Sequence, residues 1–170
     1  MKKLFLLRHA QTEGYSLSNP DSKRKLTERG VQDAMKLGQL LYEENIEIDS
    51  IVSSVAIRAQ TTARLIANGV KYLPSNIQIE EDLYQCSEVD LLRFISQIDD
   101  NSINNLLLVN HNPAVSALIY LLAEKDYGFL SPCSLVIFSF DVENWTEITK
   151  GSGTVETIRI PETSFEESMI

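Results

Sequence analysis

The chain has 170 residues, a mass of 19.2 kDa and 44% apolar content, enough for one domain with a real core, whereas two domains would each be small. A formal net charge of -9 and a sequence pI near 4.7 argue against non-specific binding to nucleic acid or to an anionic membrane. Any cations that hold a phosphorylated ligand must therefore be local. The opening Met1-Lys2-Lys3-Leu4-Phe5-Leu6-Leu7-Arg8 imitates a signal peptide, but its four-residue apolar stretch falls short of the roughly seven to fifteen of a secretory core. With no run long enough to span a bilayer, the expected location is the cytoplasm. Cys86 and Cys133 stand alone, without CxxC spacing, and are expected to be reduced core residues.

Short apolar runs alternate with longer segments of helical period, the pattern of βαβ units around a mostly parallel sheet. A first strand is expected over Leu4–Leu7. Thr27 then caps a helix with Val31, Ala34, Met35, Gly38, Leu41 and Tyr42 on its inner face. Ser50–Ser53 reads as a second strand, followed by a helix that buries Ala59, Thr62, Ala63 and Ile66. A strand at Ile77–Ile79 precedes a helix over about Val89–Ile98. Leu106–Val109 is the fourth strand, and Pro113, suited to a first helical turn, begins a helix carrying Val115, Leu118, Ile119 and Leu122.

After Ser131-Pro132 the period changes to two, over Leu135–Phe140, Trp145–Thr149 and Thr154–Ile160. These three runs predict an antiparallel meander at one sheet edge. The expected fold is a three-layer α/β/α sandwich over residues 1–161, with a short acidic tail, 162–170, that frays.

The chain has only two histidines, and each directly follows or nearly follows a buried-strand pattern: Arg8-His9 after the first, Asn110-His111 after the fourth. Ligands of open α/β sheets bind beyond the carboxyl ends of the strands, which puts both imidazoles at one crevice. Arg58 sits at the strand-to-helix junction Ser53-Ser54-Val55-Ala56-Ile57-Arg58, where a cation opposes the helix dipole unless an anion joins it. Guanidinium forks bind phosphoryl oxygens bidentately, and an imidazole can attack phosphorus to give a covalent intermediate. Ser53 and Ser54 lack a G-x-S-x-G elbow and read as loop hydroxyls and a helix cap. Tyr84 and Glu88 read as core packing and a helix-start acid, with a place at the pocket rim as the alternative.

Arg8-His9-Ala10, the segment Asp21 to Gly30 (DSKRKLTERG), Ser53 to Ala63, and His111-Asn112-Pro113, in this order, resemble the histidine phosphatase superfamily, which includes cofactor-dependent phosphoglycerate mutases. The nearest likeness within it is to the small SixA-type phosphohistidine phosphatases. The resemblance implies that His9 is the phosphate-accepting nucleophile, that Arg8 and Arg58 clamp the phosphoryl oxygens, and that His111 stabilises the group in transfer. It places Arg24 near the pocket mouth as a substrate-binding residue. It also implies a mechanism with no cofactor and no metal, the positive charge coming from side chains.

Ester-cleaving members of the superfamily carry an acid after the third strand, where this chain reads Asp82-Leu83-Tyr84-Gln85-Cys86 and Gln85 takes that place. An imidazole, whose conjugate acid has a pKa near 6.5, leaves far more readily than an alkoxide, so the missing acid favours an N–P bond as substrate. The expected activity is hydrolysis of phosphohistidine on a partner protein such as a phosphotransfer domain, with neither nucleic acid nor membrane as a partner. A phosphatase for small phosphate esters is the alternative, with Glu81, Asp82 or Glu88 as acid. A non-catalytic phosphoryl-binding module is a third reading, against which the intact His9 argues.

Overall fold

Successive side chains of a strand face opposite ways, so an unbroken apolar run needs a core on each side. The computed structural model, which describes residues 1–161 and 167–168, has both. In β1 (Lys2–Arg8), Leu4 and Leu6 join one core while Phe5 and Leu7 join the other. The same division runs through β4 (Asn105–Asn110), where Leu106 and Leu108 oppose Leu107 and Val109. Helices α1 (Glu28–Glu43) and α2 (Ile57–Gly69) cover the Phe5 side, and α3 (Glu88–Ser96) and α4 (Ala114–Ala123) cover the Leu4 side. The result is the expected three-layer α/β/α sandwich.

The remaining strands are β2 (Ser50–Ser54), β3 (Gln78–Glu80), β5 (Leu135–Phe140), β6 (Thr154–Arg159) and β7 (Glu167–Ser168), and the sheet order is β3-β2-β4-β1-β5-β6-β7. Strands β1 to β4 are parallel, while β5, β6 and β7 add on antiparallel to β1 and to each other. Because β1 leads to a helix on one face and its neighbour β4 to a helix on the other, the chain separates at their carboxyl ends. That separation opens a crevice at the switch point.

Thr27 caps α1 as its sequence suggests, its hydroxyl accepting from Gly30 N, a contact worth about 1 kcal/mol. The inner face of α1 is rotated from the expected one: Gly30, Ala34, Leu37, Gly38 and Leu41 are buried, while Met35 and Tyr42 are exposed. Two glycines set that rotation. A Cβ on Gly30 would strike the Gln11 carbonyl, and one on Gly69 of α2 would strike the Gly38 backbone, so α1 and α2 cross in near-backbone contact. The predicted inner residues of α2, Ala59, Thr62, Ala63 and Ile66, are all buried. Ser87 and Asp90 form a reciprocal capping box at the start of α3, and Pro113 is the residue before α4 rather than within its first turn.

The second run of the expected meander is not a strand. Trp145–Glu147 forms a 3₁₀ turn closed by Asn144 and Glu147, in which Trp145 and Ile148, three residues apart, are both buried. The Trp145 indole N–H donates to Ile103 O at 2.7 Å. Burial of those two side chains on one side of a three-residue turn explains an apolar spacing that resembled alternation. The antiparallel edge is built instead from β5, β6 and β7. The tail expected to fray, Glu162 to Ile170, lies outside the described residues except for Glu167–Ser168, which pair with β6. No helix among the described residues is long and apolar enough to cross a membrane.

Candidate active site

Arg8, the last residue of β1, is in register with Asn110, the last residue of β4. Two parallel strands ending level deliver the residues that follow them side by side. His9 and His111 accordingly meet with ring centroids 5.1 Å apart. Ser53 of β2 pairs with Val109 on the other side of β4, which sets Ser54 beside His111. Arg8, His9, Arg24, Arg58 and His111, all expected from the sequence, line one cavity of about 640 Å³.

His9 is 6% exposed, and its Nδ1 lies 2.8 Å from Ala10 O. A carbonyl can only accept, so Nδ1 carries the hydrogen and Nε2 keeps its lone pair. Arg58 Nε donates to that lone pair at 3.3 Å. Burial, partly offset by the Ala10 hydrogen bond and reinforced by the charges of Arg58, Arg8 and Arg24, lowers the His9 pKa to about 4. Thr62 holds the following residue, its hydroxyl accepting from Ala10 N at 3.0 Å and donating to Arg58 O at 2.8 Å.

His111 Nε2 faces Ser54 Oγ at 2.7 Å, and its Nδ1 is buried without a hydrogen-bond partner among the described residues. Burial, with the neighbouring His9 and Arg58, lowers its pKa to about 3. The Asn110 side-chain carbonyl accepts from His111 N at 2.9 Å and locks the turn out of β4. The reading of Ser54 as a helix cap is corrected: the residue before α2 is Ala56, with no side-chain cap, and the Ser54 hydroxyl turns to the imidazole instead.

Arg8 donates from Nη1 to Leu130 O at 2.6 Å, lies over the Phe129 ring, and keeps Nε buried and without a hydrogen-bond partner among the described residues. Its pKa is lowered by burial and then by the like charge of Arg58. Arg58 is 5% exposed, so it is no surface cation. Its Nη1 donates to Asp21 O at 2.6 Å and its Nη2 to Asp21 Oδ2 at 3.0 Å. Asp21 Oδ2 also accepts from the Tyr84 hydroxyl at 2.8 Å, while Arg24 Nε lies 3.1 Å from Oδ1. Burial opposes ionisation of Asp21, yet the hydrogen bonds from Tyr84 and Arg58 and the charges of Arg58 and Arg24 prevail and hold its carboxyl below the usual range.

Gln85 lines the cavity, but Glu81, Asp82 and Glu88 are not among its lining residues, and Asp21 is the one carboxylate there among the described residues. Tyr84 lines the cavity as well, contrary to the core-packing expectation, because its hydroxyl reaches the Asp21 carboxylate. Cys133 is buried in the core as expected. Cys86 is not: it is half-buried at the cavity wall, where Asn110 Nδ2 donates to its Sγ at 3.4 Å. The signal for Asp21 was its place three residues before Arg24. Its partnership with Arg58 and Tyr84 spans 37 and 63 residues and leaves no local trace. No group of three or more His, Cys, Asp or Glu among the described residues is arranged to hold a metal.

Three guanidinium groups, a neutral imidazole whose Nε2 lone pair faces Arg58 and a second imidazole whose Nδ1 has no partner among the described residues are suited to binding a tetrahedral dianion and attacking it. The family model for the histidine phosphatase superfamily (branch 1) matches residues 4–91. The chain belongs to that superfamily and is a histidine phosphatase by class. It is SixA-like within it. Phosphohistidine phosphatase SixA of Escherichia coli K12 is 26% identical over 131 residues, covering 76% of this chain and 78% of that protein. A solved structure of the protein histidine phosphatase SixA complexed with tungstate superimposes with a TM-score of 0.81 at 19% identity, covering 95% of this chain and 99% of that one. The fold is shared more widely: a mycobacterial glucosyl-3-phosphoglycerate phosphatase superimposes with a TM-score of 0.66 at 17% identity, over 91% of this chain and 97% of that one.

Proposed function

We propose that the protein hydrolyses phosphohistidine on a partner protein through a covalent phosphohistidine on His9, with residues 1–161 as the phosphatase domain and a cytoplasmic phosphotransfer domain as the kind of partner. The observation that carries this reading is the pairing of a nucleophile-ready His9 with a cavity whose lining, among the described residues, offers no protonated carboxylic acid. Asp21, the carboxylate in the lining, is held ionised by Tyr84, Arg58 and Arg24 and has no proton to give an alkoxide. An imidazole leaving group needs far less help.

In the first half-reaction His9 Nε2 attacks phosphorus and the P–N bond to the substrate imidazole breaks. Its electron pair stays on the substrate nitrogen, which takes a proton from solvent. In the second, water attacks the phosphorus on His9, releases a proton to solvent, and the P–Nε2 bond breaks to return the lone pair to His9 and free inorganic phosphate. Arg8, Arg58 and Arg24 balance the phosphoryl charge throughout. Neutral His111 donates from Nδ1 to an oxygen whose charge grows in transfer, a contribution that is large in a dry site.

The test is turnover of a phosphohistidine protein beside an aryl phosphate and a sugar phosphate, with His9→Ala as control. Hydrolysis of the N–P substrate well above the alkyl ester, abolished in His9→Ala, is the expected result. Preference for the alkyl ester would favour the small-ester reading, and partner binding with unchanged biological output in His9→Ala would favour a non-catalytic binder.

A further inference from the structure

Arg58 directs all its nitrogens at protein groups: Nε at His9 Nε2, Nη1 at the Asp21 carbonyl and Nη2 at the Asp21 carboxylate. The same carboxylate draws in Arg24 and Tyr84. Two oxygens carrying a negative charge, facing two guanidinium groups beside the His9 lone pair, have the chemistry of one edge of a phosphoryl group. A phosphoryl group on His9 Nε2 would displace Arg58 Nε from that lone pair and set its oxygens against the same guanidinium that holds Asp21, in competition with the carboxylate.

We infer that Asp21 is an internal counter-anion that competes with the phosphoryl group for Arg58 and Arg24 and so hastens release of inorganic phosphate. The inference rests on the phosphatase reading and adds a positioning and release role to it. A site with three arginines would otherwise hold its product tightly. When phosphate leaves, a guanidinium with a side chain only 6% exposed loses its partner, and a buried unpaired charge is unfavourable. Asp21 closing on Arg58 removes that penalty and moves the equilibrium toward the free enzyme.

The local structure fits a carboxylate that comes and goes. Asp21 begins a three-residue 3₁₀ turn after Pro20, and its side chain is 39% exposed, so it can rotate toward solvent without unpacking a core. The contact from Arg58 Nη1 is made to the Asp21 backbone carbonyl. That bond stays in place while the carboxylate swings, keeping the guanidinium aimed at the cavity. It also means that a neutral side chain at position 21 leaves Arg58 oriented.

Asp21→Asn is nearly isosteric and removes the charge. The measurement is calorimetric titration of wild type and Asp21→Asn with inorganic phosphate at fixed ionic strength, with phosphate inhibition of phosphohistidine turnover read alongside and thermal unfolding as a check on folding. Removing one negative charge from an anion site raises affinity, here by about tenfold, and phosphate inhibits the variant at correspondingly lower concentration. Tyr84→Phe, which loosens one hold on the carboxylate, shifts affinity the same way by less. A purely architectural Asp21 gives the opposite sign, because a misplaced Arg58 binds phosphate more weakly. Wild-type turnover together with unchanged or weaker phosphate binding in folded Asp21→Asn overturns the counter-anion role alone. A wild type that neither turns over nor binds phosphate overturns the phosphatase reading and this role together.

Discussion

Ser54 Oγ stands 2.7 Å from His111 Nε2, with Ser54 fully buried and His111 9% exposed. A neutral imidazole carries one N–H, and its place is set by what the other nitrogen meets. Ser54 Oγ accepts the Ala56 N–H at 3.4 Å and has one hydrogen and one further lone pair left for Nε2; in the phosphatase reading the hydroxyl is the donor. The N–H of His111 is then on Nδ1, the nitrogen without a partner among the described residues.

That relationship predicts a tautomer. Ser54→Ala lets the hydrogen move to Nε2 and lowers kcat by about tenfold, the effect of one hydrogen bond of about 1.4 kcal/mol lost in the transition state. Ser54→Thr keeps the hydroxyl and restores most of the rate. Nitrogen-15 shifts of His111 read the tautomer directly, and a Ser54→Ala protein with unchanged shifts and unchanged kcat would refute the assignment.

The two histidines also set a pH dependence. An unfolded histidine titrates near 6.5, whereas burial first, then the nearby positive groups, put His9 at about 4 and His111 at about 3 in the folded protein. Between those values the unfolded chain binds more protons than the folded one, so stability rises with pH across the interval. Stability is complete above about pH 6.5 and is lost as pH falls toward 4 and 3, by up to about 1.4 kcal/mol per pH unit for each ring. Urea midpoints between pH 7.5 and 4.5 test the trend. With only two histidines in the chain, NMR titration tests its cause, and a His9 midpoint near 6.5 in the folded protein would sink it.

Substrate preference is open to a single substitution. Gln85 lines the cavity in a left-handed backbone conformation, φ 58°, at the position where the resemblance to the superfamily puts the acid of ester-cleaving members. Gln85→Glu changes no shape and supplies a proton donor. Since a general acid contributes roughly 10² to 10⁴ in rate, even partial alignment raises kcat/KM on an alkyl phosphate by at least about tenfold, with phosphohistidine turnover little improved. No gain on the ester would mean that side chain 85 does not face the leaving group.

The crossing of α1 and α2 gives a stability prediction away from the chemistry. A Cβ on Gly69 meets the Gly38 backbone, and neither residue lines the cavity. Gly69→Ala should destabilise the fold by about 1 to 3 kcal/mol, the range for overpacking a tight contact. Denaturant titration reads the loss, and the folded fraction should bind phosphate as wild type does.

Local chemistry along the chain was enough to place β1, β2, β4 and α2 and to single out Arg8, His9, Arg58 and His111. Continuous apolar runs require burial on both faces, helical spacing requires one, and polar residues directly after buried strands lie at a crevice. Local spacing did not orient α1, because the closeness of Gly30 to Gln11 and of Gly38 to Gly69 depends on which segments meet. Nor did it show that Trp145–Glu147 would turn, since Trp145 and Ile148 bury themselves against neighbours distant in sequence. The arrangement of the site belongs to the same class of facts. His9 meets His111 because β1 and β4 end in register, Ser54 meets His111 because β2 lies on the far side of β4, and Asp21 meets Arg58 and Tyr84 because a loop folds over the strand ends. Hydrogen-bond partners, tautomers and lowered pKa values arise from contacts between remote segments, and those exist only once the sheet has assembled.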